Sequence, residues 1–404
     1  MKGVKRIIGL LLTVLAGVGG RAQILERTTV FAAGDEGSRH YRIPALAVAS
    51  DGSLIAVADR RGASQRDLPN IISVVCRRST DGGRTWDPQT IIAQGDSATG
   101  ATYGDAALIR DARTGALVCV FTGDHGFFDS TPEHPQRIYC SRSFDNGLTW
   151  EAPRDISAQF RLPGWQGFFA ASGALTQTKE GRLLFVADTR LSPERRLRDI
   201  YEYVIASDDE GETWRVLNPE ARVPSDGRGN ESKVVELTDG RLLMSIRTPG
   251  CRRFSYSADG GRTWSEADSV PQLVEPDCNG DIIAVERGGR RLLLHSLPAD
   301  AQERRNVSVY VSADEGATWP LCIPLSDAPS AYSSLAGLPD GTIGCLLEEE
   351  DPADPADPAA YRILLVRFTL PDIPDNCMNA PGLKADAPGC IPTSKPPSKL
   401  QIKI

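Results

Sequence analysis

The sequence predicts an all-β fold, a six-bladed β-propeller, from three observations. The octet Ser-x-Asp-x-Gly-x-Thr-Trp occurs five times, at Ser79–Trp86, Ser143–Trp150, Ser207–Trp214, Ser257–Trp264 and Ser312–Trp319. Successive copies start 64, 64, 50 and 55 residues apart, the period of a supersecondary unit that stacks on its neighbours because it cannot bury its own faces. Between the octets lie short β-rich runs punctuated by Gly, Asp and Pro, with no extended helical periodicity after the first 22 residues.

Each octet reads as a turn. Its Ser and Asp side chains bond nearby backbone groups, its Gly supplies a positive φ, and Thr-Trp restarts a strand with an aromatic anchor. Five of the six tryptophans end an octet, so the motif speaks for architecture and is silent on chemistry. The strands are expected at Ala45–Ala49, Ser53–Ala58, Ile71–Cys76, Ala116–Phe121, Arg182–Ala187, Arg241–Ile246 and Arg291–His295. About 345 residues at roughly 45–60 per blade make six blades. The blade without an octet is expected to close the ring by pairing the chain ends, for instance Thr28–Ala32 with Tyr361–Leu370.

Residues 23–370 are therefore read as one propeller domain. Residues 1–22 carry Lys2, Lys5 and Arg6, the apolar run Ile7–Val18 and the small-residue site Gly20-Arg21-Ala22, the layout of an export signal. No cysteine follows that site to take a lipid, and no later stretch is apolar enough to span a membrane. Residues 371–404, rich in Pro, Lys and Ser, read as a flexible tail. The repeat Asp351–Asp357 reads as a solvated acidic loop. The expectation is an exported monomer, periplasmic or secreted.

Nine cysteines (Cys76, Cys119, Cys140, Cys251, Cys278, Cys322, Cys345, Cys377 and Cys390) show no CxxC pair, and their pairing stays open. The four histidines are scattered, so no metal or other cofactor is expected. A net charge of −8 argues against nucleic acid as a partner. It also means that an anionic small substrate must be held by a local arginine cluster.

Propeller blades do not need arginines at strand ends, and three stand out. Arg42 lies in Tyr-Arg-Ile-Pro before the first blade's strand, Arg247 ends Arg241-Leu-Leu-Met-Ser-Ile, and Arg304 stands eight residues before the fifth octet. If innermost strands bring them to one central face, they form a fork for a carboxylate with charge-assisted, bidentate bonds.

The pairing of Tyr-Arg-Ile-Pro with repeated octets, from about Val30 to Leu370, resembles the bacterial exo-sialidases (neuraminidases). The resemblance implies a six-bladed propeller with peripheral octets, and an active site made of an arginine triad, a Tyr–Glu pair and an acidic residue. Arg42, Arg247 and Arg304 match the triad, with Arg305 competing for the third place. Glu231, in Asn-Glu-Ser-Lys, lies sixteen residues before Arg247 and matches the glutamate partner; Tyr332, in Ala-Tyr-Ser-Ser, matches the nucleophile. Asp67, 25 residues after Arg42, matches the acid/base aspartate. Glu348 matches the glutamate that holds the first arginine, and Arg61 and Asp105 resemble secondary contacts to the sugar.

The residue types suit that chemistry. A sialoside carries a carboxylate on its anomeric carbon, which would repel a carboxylate nucleophile, whereas a neutral phenol avoids the clash. A phenol with an ordinary pKa near 10 is a poor nucleophile at neutral pH unless a neighbouring carboxylate takes its proton. The resemblance thus implies an exo-α-sialidase acting with retention on sialylated glycans, glycoproteins or glycolipids. Trans-sialidase and intramolecular variants share these residues and stay open, as does a non-catalytic glycan-binding propeller. Trp165 and Phe168-Phe169 are expected to pack a blade, with the wall of an acyl pocket as the alternative for Trp165.

Overall fold

The computed structural model describes residues 22–371 apart from 63, 195–198, 228 and 352–359. Residues 1–21, the tail after 371 with Cys377 and Cys390, and most of the acidic repeat lie outside the described residues. Asp351, which opens that repeat, is buried, contrary to the solvated loop expected for it.

Six antiparallel sheets follow one another around an axis. The first blade is His40–Val48, Leu54–Arg61, Ile72–Ser79 and Thr90–Ala93, from the inside outwards. The second is Tyr103–Arg110, Leu117–Gly123, Arg137–Ser143 and Arg154–Asp155, with Gly173–Ala174 added in parallel on its inner edge. In the third, Gly167–Ala170 and Thr176–Gln177 both pair with Leu183–Arg190, followed by Ile200–Ser207 and Arg215–Val216. The fourth is Lys233–Glu236, Leu242–Ile246, Pro249–Ser257 and Asp268–Pro276. The fifth is Asp281–Arg287, Arg290–Pro298, Val307–Ser312 and Leu321–Pro324. The sixth runs Ser330–Gly337, Ile343–Glu350 and Tyr361–Thr369, and its outermost strand is Gln23–Phe31 from the other end of the chain. The pairing of Thr28 with Leu365 and Phe31 with Ile363 is the ring closure that the missing sixth octet predicts.

Strands pack on both faces, which is why they read as near-continuous apolar runs. All of Leu183–Arg190 is buried. Leu183, Phe185 and Ala187 join a core shared with the second blade, while Leu184 and Val186, pointing the other way, join one shared with the fourth. Six such cores, one at each interface between blades, hold the ring. Each fully buried Val, Leu, Ile or Phe contributes about 1.5–3 kcal/mol.

The octets connect third strands to fourth strands in blades one to five. In Ser207–Trp214, the Asp209 carboxylate accepts from Ser207 Oγ at 2.9 Å, Thr213 N at 2.8 Å and Thr213 Oγ1 at 2.6 Å. Ser207 Oγ in turn accepts from Gly211 N, and Trp214 Nε1 donates to Gly211 O. The tryptophan enters the core shared with the preceding blade. Gly83 shows why glycine is needed there: its φ is +91° and an added Cβ would lie 2.1 Å from Leu365 of the neighbouring blade. The sixth blade has no octet because its third and fourth strands come from opposite chain ends. Register places the octets away from the site. In the first blade His40 pairs with Arg61 and Arg61 with Ile72 at one end, whereas Leu54 pairs with Ser79, the first octet residue, at the other.

Candidate active site

The end of the ring where inner strands begin and second strands finish gathers the predicted polar residues. Three of them sit in irregularities of innermost strands. The register slips between Arg42 and Ala45, between Gly104 and Ala107 around Asp105, and between Ser330 and Ser333 around Tyr332. A bulge breaks the alternation of the pleat and re-aims a side chain, here towards the axis. The strain is visible beside them: Ile43, Asp105, Glu231 and Asp277 all have positive φ without being glycine.

The arginines do not all ride on innermost strands. Arg42 lies within the inner strand of the first blade, Arg247 directly follows the second strand of the fourth, and Arg304 is in the loop after the second strand of the fifth.

Tyr332 stands at the centre. Its hydroxyl donates to Glu231 Oε2 at 2.7 Å and accepts from Arg247 Nη1 at 3.1 Å. Arg247 Nη1 also pairs with Glu231 Oε2, Nε bonds Asp277 Oδ1 at 2.9 Å and Nη2 bonds the Asp277 carbonyl at 2.6 Å. The guanidiniums of Arg42 and Arg304 lie over the Tyr332 ring, 5.2 and 5.5 Å from its centroid. Arg305 instead turns outward to Glu303 and the Asp327 carbonyl, so Arg304 is the one brought to the tyrosine.

Glu348 is wholly buried and binds four donors. It receives Arg42 Nε at 2.7 Å, Arg42 Nη2 at 3.1 Å, Ile43 N at 2.8 Å and Tyr332 N at 3.1 Å. One carboxylate thus fixes both the arginine and the backbone that carries the tyrosine. Tyr361 supports Arg42 from another side, 5.2 Å from ring centroid to guanidinium.

Asp67 is on the rim, with 75% of its side chain exposed, and is held by the buried Arg61 at 2.8 Å. Arg61 also binds buried Asp59 at 2.9 Å, and Asp59 accepts the Asp105 amide at 3.1 Å. Burial pushes the Asp59 carboxyl up to about 6 against the pull of Arg61. Burial, then Asp59 and Asp67, push Asp105 well above the usual carboxylate range.

The Tyr332–Glu231 pair is polarised. Burial and then the Glu231 charge push the Tyr332 phenol well above its ordinary value, with Arg247 and Arg304 pulling it back. Burial raises the Glu231 carboxyl too, but Arg247, Lys233, the Tyr332 bond and Arg304 outweigh it and hold it below its ordinary value. The resting proton is therefore on the phenol, facing an ionised acceptor.

Asp59, Asp277 and Tyr361 were not singled out by sequence. Asp59 lies inside an ordinary strand, and nothing around the other two marks them locally. Trp165 is buried among Phe160, Phe168 and Tyr203 in the core between the second and third blades, so it packs a blade and does not wall a pocket. Among the described residues, no group of three or more His, Cys, Asp or Glu is placed to hold a metal ion, and no helix is long and apolar enough to cross a membrane.

Residues 52–345 match the family described as BNR repeat-like domain. A sialidase of Micromonospora viridifaciens is 34% identical over 368 residues, covering 84% of this chain and 55% of the relative. A sialidase of Bacteroides fragilis is 30% identical, covering 78% and 61%, so the chain spans little more than half the length of these two relatives. A sialidase of Paraclostridium sordellii is 30% identical, with 71% and 74% covered. Among solved structures, the Hadza microbial sialidase Hz136 superposes with a TM-score of 0.75 at 30% identity, over 84% of this chain and 68% of that one. With the repeats, the propeller and these relatives in agreement, the chain belongs to the bacterial sialidase family with BNR repeats.

Proposed function

We propose that this protein is an exo-α-sialidase that hydrolyses terminal sialic acids from glycoconjugates with retention, through a glycosyl-tyrosine intermediate. The observation that carries the proposal is the Tyr332 hydroxyl on Glu231 Oε2, beneath the guanidiniums of Arg42, Arg247 and Arg304. The arginines bind the substrate carboxylate and set the anomeric carbon over the phenol. Tyr332 attacks while its proton passes to Glu231, and Asp67 protonates the departing oxygen. Asp67 then takes a proton from water, which attacks from the face the leaving group vacated, opposite Tyr332, and breaks the glycosyl–tyrosine bond; Glu231 returns its proton to the phenolate. The carboxylates of Glu231 and Asp67 offset the positive charge of an oxocarbenium-like transition state. Arg61 and Asp105 contact the sugar, and Glu348 holds Arg42. The layout of residues 1–22 supports export, to a periplasm or out of the cell.

The test is release of 4-methylumbelliferone from its α-sialoside, with product analysis by NMR. The wild type is expected to release the α-anomer of free sialic acid first, and Tyr332→Phe to lose at least about two orders of magnitude in kcat. Wild-type turnover in the Tyr332→Phe protein would exclude the nucleophile, and a 2,7-anhydro product would show intramolecular transfer.

A further inference from the structure

The two oxygens of Glu231 face different worlds. Oε2 meets Tyr332 and Arg247, while Oε1 accepts the Ser172 hydroxyl at 3.1 Å. Ser172 belongs to the bend between the two short inner segments of the third blade, and Gly173 beside it has a φ of +106°. Two buried side chains grip that bend. Asn279 Nδ2 donates to Ser172 Oγ at 3.0 Å and to its carbonyl at 3.2 Å. Lys233 Nζ donates to the same carbonyl, and its Cε would lie 3.6 Å from a Cβ placed on Gly173.

Lys233 opens the inner strand of the fourth blade, two residues after Glu231, and is only 4% exposed. A buried ammonium is costly unless paired. The charges around it come from three blades: Glu231 and the like-charged Arg252 on its own, the fourth, Asp188 on the third and Asp281 on the fifth, with His295 of the fifth also in range. Glu231 itself faces Tyr332, Arg247, Arg304, Lys233, Asp188 and, from the second blade, Asp105. Burial and then Glu202 and Glu231 push Asp188 well above the carboxylate range, and burial pushes Asp281 up as well; burial pushes the Lys233 ammonium down, while Asp281, Glu231 and Asp188 pull it back up.

We propose that Lys233 is a positioning residue for Glu231: it fixes the Ser172–Gly173 bend so that Ser172 holds Oε1, leaves Oε2 facing Tyr332, and supplies the charge that keeps the carboxylate ready to accept a proton. This rests on Glu231 being the base for Tyr332. When Tyr332 attacks, its O–H bond breaks and the proton goes to Oε2; the oxygen electron pair forms the bond to the anomeric carbon as the glycosidic bond breaks and its electrons leave with the departing oxygen, which Asp67 protonates. Lys233 keeps its own protons throughout. Lys233 also lines an axial cavity of about 240 Å³ between the third, fourth and fifth blades, which gives an arginine room in its place.

The experiment compares wild type, Lys233→Met, Lys233→Arg, Ser172→Ala and Glu231→Gln, each checked for folding by circular dichroism, in kcat and KM against pH with the 4-methylumbelliferyl sialoside. Lys233→Met is expected to lose about tenfold or more in kcat with KM within about threefold, and its acidic limb should move up by about one pH unit. The limb rises because Glu231 protonates more easily without the ammonium. Lys233→Arg should restore the limb, a recovery that a purely structural role does not require. Folded Lys233→Met with the limb unmoved would overturn the inference. If Lys233→Met does not fold, a folded Ser172→Ala with wild-type kcat and pH profile would overturn it. Wild-type activity in Glu231→Gln would instead overturn the underlying reading of Glu231 as base.

Discussion

Tyr332 and Glu231 share a 2.7 Å hydrogen bond although 101 residues separate them in the chain. The proton lies with the phenol, and the acceptor is held ionised by the surrounding cations. Glu231→Gln keeps the shape and a hydrogen bond but cannot take the proton. It is expected to lower kcat by about 10²–10⁴-fold with KM changed only a few-fold. Steady-state kinetics on the 4-methylumbelliferyl sialoside will check this; a kcat near wild type would remove Glu231 from the proton path.

Glu348 joins Arg42 to the backbone of Tyr332. Glu348→Ala leaves a buried guanidinium and two buried amides without their acceptor, a loss of about 3–5 kcal/mol for a broken buried ion pair. Urea unfolding should show that destabilisation, and KM should rise as Arg42 loses its orientation. A variant as stable as wild type with an unchanged KM would contradict this role.

Asp67 is exposed at the rim and Arg61 fixes its direction, which suits the role proposed for it as acid to the departing group. An aryl leaving group needs little protonation, whereas the lactose oxygen of sialyllactose needs much more. Asp67→Ala is therefore expected to lose at least about tenfold more in kcat on sialyllactose than on the aryl sialoside. Equal losses on the two substrates would argue for a positioning role.

Glu202 is buried beneath the loop that carries Glu231 and accepts Ser225 Oγ at 2.6 Å. Burial pushes its carboxyl up to about 7. Between its unfolded value near 4 and that folded value, the native state holds the proton that the unfolded state has lost. Stability is thus present in full below the unfolded pKa and falls as pH rises towards 7, by about 3 kcal/mol at most. Glu202→Gln should flatten this part of the profile of Tm against pH. An identical slope in wild type and variant would refute the assignment.

The fold was legible because its signals are local. Each octet closes its bonds within eight residues, so Ser79, Asp81, Gly83 and Thr85 announce a turn before any tertiary structure is known. The candidate site was legible only where a residue type was odd for its place, as with Arg42 at the head of a strand and Arg247 at the end of one. Glu348 was reached only through the family resemblance, since it meets Arg42 across 306 residues. Asp277, Tyr361, Ser172 and Lys233 were not reached at all, because each meets its partner 30 or more residues along the chain and leaves no local pattern. Trp165, expected to pack a blade, does so: the one tryptophan outside the octets invites a functional reading, yet its surroundings are an ordinary aromatic core.

The outermost strand of the last blade comes from the beginning of the chain, and Gln23 bonds Thr369 across 346 residues. At roughly 5–20 residues per second of synthesis, Gln23–Phe31 waits on the order of 20–70 s for its partner to exist. Until then the first blade lacks its neighbour on one side, and the core shared by Tyr41, Leu54 and Leu365 stands half built. A ring sealed this way completes only when the newest part of the chain meets the oldest. Ribosome pausing and early protease exposure therefore bear on the yield of closed ring, alongside the stability of the finished ring.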